Sequence, residues 1–130
     1  MTGTLTQAER NKQTVLAFYQ AAINDKQFAG ARTLVGDHYR QHNPRIADGV
    51  EGLREFVDTL RQDFPRLRAE VKRIFAEGDH VVAHVEGVRV PGGPATAIVD
   101  IFRFEGDRIV EHWDVMQAVP GESRNANGMF

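Results

Sequence analysis

Hydrophobic residues in the first quarter of the chain recur at the spacing of an α-helix. Val15, Phe18 and Ala22 fall on one face of such a helix. Upstream, Thr6 and Glu9 have the spacing of a capping box, in which each side chain binds a free amide at the helix start. The pattern therefore predicts a first helix that begins after Thr6 and buries one face.

Two further helices are predicted before residue 66. A short one is expected around Phe28–Val35, with Gly36 as its left-handed cap. A longer one is expected to begin at Asp48, which has Glu51 at capping-box spacing, and to be closed by Pro65. Its apolar positions are Leu53, Phe56, Val57 and Leu60.

The second half of the chain contains short segments rich in Val, Ile and Phe. Four strands are predicted, near residues 67–77, 79–90, 95–104 and 108–117. Their connections contain glycine and are too short for a parallel crossover, so neighbouring strands should be antiparallel. Helices followed by such a sheet predict an α+β fold with the helices packed on one sheet face. We expect a single domain over 1–130, with a core at about 9–118 and a tail at 119–130.

Composition excludes several classes of function. The 18 acidic and 16 basic residues give a net charge of −2 without a basic cluster, so we expect neither nucleic-acid nor membrane binding. The chain has no cysteine, which excludes disulfides, thiolate nucleophiles and zinc–sulfur sites. The first ten residues lack the apolar stretch of a signal peptide, and we therefore predict a cytoplasmic protein.

Acidic residues interrupt two otherwise apolar strands. Asp100 lies within Ile98–Phe102, and Asp114 lies in the segment His112–Met116. Burial disfavours the charged form of a carboxyl group unless donors compensate. Each aspartate is therefore either a paired structural acid or an acid/base group, and the proximity of His112 keeps both readings open.

The relative orientation of these groups depends on the hairpin between the last two strands. A three-residue loop at 105–107 sets Asp100 opposite His112, with Asp114 as a diagonal neighbour on the same face. A two-residue loop at 106–107 turns the two aspartates to opposite faces unless a bulge resets the register. The spacing alone leaves both arrangements open.

A second group of polar residues occupies Tyr39–Pro44. Pro44 favours an extended conformation at Asn43, so this segment is predicted to add an edge strand and direct alternate side chains into a cavity. His42 and Asn43 offer hydrogen-bond donors and acceptors there; alternatively they satisfy loop backbone groups. No histidine pair completes a ligand set, and we predict no metal site.

The order of elements resembles that of nuclear transport factor 2 and ketosteroid isomerase, a cystatin-like α+β cone with a strongly curved antiparallel sheet. More narrowly, the chain resembles the SnoaL-like polyketide cyclase family, including its branch of predicted aldol-condensation enzymes. The resemblance covers about residues 9–118 and is carried by Tyr39–Pro44, Asp48–Leu53 and Val99–Asp114. It implies a small-molecule pocket and favours the arrangement in which Asp100 and Asp114 share a face.

The resemblance also implies a role for Asp114. In the characterised cyclases an aspartate on the last strand is the acid/base of an intramolecular aldol ring closure, and Asp114 matches its position. Asp100 stands where those enzymes have a histidine, and Ile98 where they have a polar amide, so the chain departs from the family at two positions.

Three hypotheses follow. The leading one is cofactor-free acid/base chemistry on a small, apolar carbonyl compound, with Asp114, Asp100 and His112 as catalytic residues. The candidate substrate-binding residues are His42, Asn43, Tyr19, Phe102 and Met116. The second is a non-catalytic ligand-binding or dimerisation module of the same fold. The third is an epoxide hydrolase, which would need Arg73 or Arg89 beside the aspartates.

The resemblance further implies a homodimer formed through the exposed sheet face. Val81, Ala83 and Val85 share one face of a predicted strand and are the apolar residues expected there. The terminal Met129 and Phe130 are expected to cover either a pocket mouth or a partner subunit.

Overall fold

The computed structural model describes residues 3–130, so Met1 and Thr2 of the predicted domain lie outside the described residues. The helical elements are α1 (Gln7–Phe18), which continues as a π-helical turn (Tyr19–Asn24), α2 (Phe28–Arg32) and α3 (Gly49–Asp63). The strands are β1 (Val35–Gln41), β2 (Arg68–Glu77), β3 (His80–Val88), β4 (Ala95–Glu105) and β5 (Arg108–Ala118). No helix within residues 3–130 is long and apolar enough to span a lipid bilayer.

The capping box at the start of α1 is confirmed. The Glu9 backbone N–H donates to Thr6 Oγ1 at 3.1 Å, and the Thr6 N–H donates to a Glu9 carboxylate oxygen at 3.4 Å. The predicted apolar face is buried, with Val15 and Ala22 fully inaccessible to solvent. Capping and burial together therefore fix α1 against the sheet.

Two predictions around β1 and α3 are wrong in detail. Helix α2 ends at Arg32, and Gly36 is not its cap but lies in β1, because Val35 is buried and pairs with Ile109 of β5. The side chain of Asp48 does not form a capping box in α3. It accepts instead from the Gln41 backbone N–H at 2.8 Å, and this bond lowers the pKa of Asp48.

The five strands form one sheet in the order β1-β5-β4-β3-β2. Strands β2 to β5 are antiparallel neighbours, as predicted. Strand β1 lies at an edge of the sheet, as expected, but it spans Val35–Gln41 rather than the predicted Tyr39–Pro44. Because β1 pairs with β5 in parallel, the sheet is mixed rather than wholly antiparallel. The α+β class, with helices packed on the sheet, is confirmed.

The hairpin between β4 and β5 has a two-residue loop, Gly106–Asp107. Gly106 has a φ of 59°, which suits glycine at the first position of such a loop. Pairing proceeds from Phe104 with Ile109 directly to Arg103 with Glu111, so Val110 is an extra residue, a β-bulge. The bulge restores the parity that the short loop removes.

Residues of the predicted dimer face lie in the core. Val81, Ala83 and Val85 are fully buried, which corrects the expectation that they are exposed. The opposite, outer face of the sheet carries Phe75, Val82, Val99, Ile101, Trp113 and Val115. Phe75 is 62% and Val115 69% exposed. The C-terminal Phe130 stacks on His84, with ring centroids 5.7 Å apart, so the tail ends against this outer face.

Candidate active site

Asp100, His112 and Asp114 meet on the inward face of β4 and β5. The bulge sets Asp100 directly opposite Asp114, with His112 opposite Phe102. Nε2 of His112 lies 2.7 Å from Asp100 Oδ1 and 3.8 Å from Asp114 Oδ2. The three side chains are only 6–9% exposed. The structure thus brings together the three residues that were predicted to be catalytic. Their strand register comes from a two-residue loop and a bulge, and not from a three-residue loop.

Two further predicted residues bind this group from other elements. The hydroxyl of Tyr19, at the start of the π-helical turn, donates to Asp100 Oδ2. Nδ2 of Asn43, just beyond β1, lies 2.9 Å from both carboxylate oxygens of Asp114. Burial raises the pKa of Tyr19 well above its ordinary value, so its hydroxyl stays protonated and remains a donor.

The local backbone explains why these side chains converge. A π-helical turn is a rare departure from α-helix geometry that recurs at functional sites, and here Tyr19 opens it. The Asn43 side chain is held by its own loop, because its Oδ1 accepts from the Arg45 backbone N–H at 2.8 Å. Both groups are therefore positioned before any ligand binds.

The charges of the site do not balance. In residues 3–130, no lysine or arginine nitrogen lies within 4.0 Å of either aspartate, and His112 is their ion-pair partner. Two carboxylates share one imidazole at a position that excludes bulk water. Like charges at short range repel each other, so placing two carboxylates here is electrostatically unfavourable.

The same three side chains are the metal-ligand candidates of the described chain. One donor atom from each of Asp100, His112 and Asp114 lies within 4.8 Å of the others. Carboxylate and imidazole ligands suit several divalent metals. The 2.7 Å separation between Nε2 and Oδ1 is, however, that of a direct hydrogen bond, which an ion bound by both atoms would have to break.

His42 lies away from this group. Its Nε2 is 2.7 Å from a Glu111 carboxylate oxygen, and its ring stacks on Trp113 at 4.8 Å. Glu111 also accepts from Arg103 Nε at 2.8 Å. The hydrogen bond from His42, assisted by Arg103, lowers the pKa of Glu111. His42 therefore joins an ion-pair network that includes residues of the outer face, and does not approach Asp114.

The remaining predicted residues have distinct positions. Phe102 is 1% exposed and packs edge-on against Tyr19, with ring centroids 5.9 Å apart. Met116 lies on the same strand face as Asp114, two residues further along, and is 54% exposed. The arginines of the epoxide hydrolase hypothesis are elsewhere, because Arg73 bonds His84 and Arg89 covers the Phe64 ring at 4.8 Å.

Two neighbours of the site were not singled out from the sequence. Gln41 Oε1 lies 2.8 Å from His112 Nδ1, and Tyr39 is buried close enough to both aspartates for their charges to raise its pKa, although burial is the larger cause. Both residues share strand parity with Asn43. Extending the alternation of β1 backwards from Asn43 is the signal that would have identified them.

The structure shows surface clefts of about 410 and 510 Å³ at another location. Both are lined by Asp37, His38 and Glu105, around the edge strand and the β4–β5 hairpin. Neither includes Asp100, His112 or Asp114, so the pocket expected beside Asp114 is not one of these clefts. In this conformation the three side chains are covered, and Met116, two residues beyond Asp114 on the same face of β5, is exposed.

The fold is shared with several solved structures. TsrD from Streptomyces laurentii is 24% identical, with a TM-score of 0.70 over 87% of this chain and 91% of that chain. An uncharacterized cystatin fold protein from Novosphingobium aromaticivorans is also 24% identical, with a TM-score of 0.70 over 81% of this chain and 97% of that one. A candidate ketosteroid isomerase from Kribbella flavida DSM 17836 is 15% identical, with a TM-score of 0.71 over 96% and 88% of the two chains.

These likenesses show the fold, an α+β architecture of the cystatin type. The model of the SnoaL-like polyketide cyclase family matches residues 13–122, and the chain belongs to that family. No curated protein matches the sequence. The resemblance inferred from the motifs is therefore confirmed, and the fold is one that polyketide cyclases and isomerase-like proteins share.

Proposed function

We propose that this protein is a cofactor-free acid/base enzyme that acts on a small carbonyl compound, by aldol-type ring closure, condensation or isomerisation. The observation that supports the proposal most strongly is the buried group of two carboxylates and one imidazole, which no lysine or arginine in residues 3–130 neutralises within 4.0 Å. Such unbalanced titratable groups are typical of sites that move protons. The family to which the chain belongs supports the same class of chemistry.

The two aspartates have unequal surroundings, which suggests different roles. Asp100 accepts from the Tyr19 hydroxyl and faces His112 at hydrogen-bond distance. Asp114 contacts a single amide nitrogen, that of Asn43, and lies further from His112. The oxygens of Asp114 therefore have more lone pairs free than those of Asp100, and we assign Asp114 as the base. Pairs of carboxyl groups in different environments commonly divide the acid and base roles in this way.

The proposed reaction begins when Asp114 takes a proton from the carbon next to a carbonyl group. The electron pair of that C–H bond moves to form an enolate. A hydrogen bond stabilises its oxygen, either from a protonated Asp100 or from Tyr19, whose hydroxyl would turn from Asp100 Oδ2 to the ligand. In ring closure or condensation, the enolate carbon bonds to a second carbonyl carbon, and the oxygen of that carbonyl takes the proton from Asp114. In isomerisation, Asp114 returns the proton to another carbon of the substrate. The enzyme ends in its starting protonation state, so the cycle requires neither metal nor redox cofactor.

We further propose that the ligand enters past Met116 and is largely apolar. Met116 and Ile98 lie beyond the aspartates on the same face of the last two strands, and Met116 is exposed. Entry from this end would bring a carbonyl group to Asp114 before any other polar side chain of the group. The aspartates are covered, so this end of the site would have to open before a ligand could reach them.

A second candidate function is a non-catalytic ligand-binding or dimerisation module. The observation that favours it is the closed state of the site, with side chains 6–9% exposed and both clefts located elsewhere. In that case Asp100 and His112 would hold the register of β4 and β5. Two copies would associate through the outer sheet face, where Phe75 and Val115 are exposed.

The experiment that separates the two is hydrogen exchange at carbon. Incorporation of deuterium next to the carbonyl of 2-tetralone, an apolar bicyclic ketone, is followed by NMR with wild type, Asp114→Asn and Asp58→Asn. Asp58 is exposed on α3 and serves as the matched control. We expect exchange above the buffer rate in wild type and Asp58→Asn, and a loss of roughly 100-fold or more in Asp114→Asn. Equal rates with and without protein would contradict the proposal and favour the binding module.

A further inference from the structure

Gln41 contacts the imidazole of the proposed site from the neighbouring strand. Its Oε1 lies 2.8 Å from His112 Nδ1 and 2.9 Å from the Asn43 backbone nitrogen. Strand pairing places Gln41 beside His112, and the Asp48 carboxylate holds the Gln41 backbone N–H at 2.8 Å. Gln41 is thus held by hydrogen bonds at both its backbone N–H and its side-chain amide oxygen.

The bond to Asn43 determines which way the Gln41 amide points. A backbone N–H can only donate, so the amide atom that faces it must be the oxygen. The same oxygen faces Nδ1 of His112, and an amide oxygen can only accept. Nδ1 must therefore carry a hydrogen, whichever protonation state the rest of the ring adopts.

We infer that Gln41 is a positioning residue, which locks His112 with a hydrogen on Nδ1 and reserves Nε2 as the only ring atom that gains or loses a proton. Nε2 is the atom that lies 2.7 Å from Asp100 and 3.8 Å from Asp114. If the imidazole carried its hydrogen on Nε2 alone, the lone pair of Nδ1 would face a lone pair of Gln41 Oε1, which is unfavourable. Because the Gln41 oxygen fixes the hydrogen on Nδ1, proton transfer at His112 takes place at Nε2, on the side of the two aspartates.

Asp100 is the group with which Nε2 would exchange a proton, because the two are in hydrogen-bond contact. Oδ2 of Asp100 is occupied by the Tyr19 hydroxyl, so Oδ1 is the oxygen that exchanges the proton with Nε2. Transfer from Oδ1 to Nε2 converts a neutral acid and a neutral imidazole into a carboxylate and an imidazolium, with no net change in protons. The titratable groups around this pair are Asp114 on β5, Tyr39 on β1 and Tyr19 at the end of α1.

The test is NMR of the histidine ring nitrogens, which distinguishes protonated from bare Nδ1 and Nε2. His112 is assigned by comparison with the spectrum of His112→Gln, and the signals are followed from about pH 5 to about pH 9. In wild type we expect Nδ1 to stay protonated throughout, with any titration at Nε2. An unprotonated Nδ1 at any pH in this range would overturn the inference. This measurement uses the wild-type protein and needs no variant of Gln41.

Variants of Gln41 provide the second arm. Gln41→Met removes the acceptor at similar size and should allow the Nε2–H form to appear, whereas Gln41→Glu keeps an acceptor and should preserve the Nδ1 hydrogen. Gln117→Met, at an exposed site near the end of β5, is the matched control and should match wild type. An unchanged Nδ1 hydrogen in folded Gln41→Met would contradict the role of Gln41.

The expected effect of Gln41 variants on catalysis rests on the proposed function, whereas the NMR test does not. If 2-tetralone exchange occurs, Gln41→Met should lower kcat by about 10-fold or more with little change in KM, and Gln41→Glu should restore part of it. If no variant or wild type catalyses exchange, the proposed function fails, while the NMR result still decides whether Gln41 fixes the imidazole. Equal loss of kcat in both Gln41 variants would argue against positioning through the acceptor.

Discussion

Three buried acidic residues on the last two strands have different electrostatic surroundings. Glu111 lies between Arg103 and His42, which lower its pKa, so its charge is compensated. Asp100 and Asp114 share a single imidazole. A compensated carboxylate contributes to stability, whereas an uncompensated pair is costly to maintain and is typical of a functional site. This contrast separates the structural acid from the proposed catalytic ones.

Glu111→Gln should lower the free energy of unfolding near neutral pH by about 1–3 kcal/mol, because the charged acceptor of two hydrogen bonds is lost. The pKa of Glu111 is lowered in the native state, so its contribution is present above the ordinary value of 4.5 and disappears as the pH falls through the native value. The difference between wild type and variant should therefore shrink at about pH 3. Urea unfolding at both pH values measures it, with exposed Glu55→Gln as the control; a pH-independent difference would contradict the assignment.

Tyr19→Phe should remove one donor from Asp100 while keeping the aromatic packing against Phe102. We expect a loss of about 1–3 kcal/mol in unfolding free energy, since a hydrogen bond to a buried carboxyl group is lost. Tyr39→Phe is the matched comparison, because the contact of Tyr39 with Gln41 is long, at 3.5 Å, and its loss should cost less. Calorimetric or chemical unfolding measures the loss of unfolding free energy in each variant. A loss in Tyr19→Phe no larger than that in Tyr39→Phe would contradict the hydrogen bond between Tyr19 and Asp100.

At the level of elements, the helices and the antiparallel strands could be predicted because apolar spacing and turn residues are local signals. The convergence of Asp100 and Asp114 could not be derived from spacing, since it depends on the extra residue Val110, and β-branched valine carries no bulge signal of its own. Gly36 was misassigned as a cap because the pairing of its neighbour Val35 with Ile109 of distant β5 overrides the local helix-ending pattern. His42 and Asn43 are adjacent, yet only Asn43 reaches the site, since side chains alternate in an extended segment.

The hairpin that sets the register of the site should be sensitive to a single methyl group. Gly106→Ala should destabilise the protein by about 1–2 kcal/mol because φ is 59° there, although nothing lies within 4 Å of the added Cβ. Gly78→Ala, at the equivalent position of the β2–β3 hairpin, should have a similar cost for the same reason. Gly121→Ala, without a positive φ or close neighbours, is the control, and equal stability of all three would contradict the argument.

Across the molecule, the two faces of the sheet differ in character. Its inward face carries the core and the proposed site, and its outer face exposes apolar residues together with the Glu111 network. The tail, through Phe130, covers the region of His84 and Lys72 on that outer face. Phe75 and Val115 remain exposed nearby, which is the arrangement expected of a surface that binds a second copy.

We expect the protein to be a homodimer through this outer face. Light scattering at micromolar concentration should give twice the 14.6 kDa mass of the chain for wild type. Val115→Lys should shift the mass towards the monomer, because a charge would be buried at the interface. Leu16→Lys, at an exposed position on α1, should leave the dimer intact. A monomeric wild type would contradict the prediction.

We propose that Asp114 is a carboxylate maintained for chemistry at the expense of stability. The most direct measurement is the free energy of unfolding of Asp114→Asn near neutral pH, beside wild type and the exposed control Asp58→Asn. Because the amide removes one of two charges that share His112 and keeps an oxygen to accept from Asn43, we predict a value equal to or higher than that of wild type. A loss of about 3 kcal/mol or more, as expected when a buried structural ion pair is broken, would contradict the account.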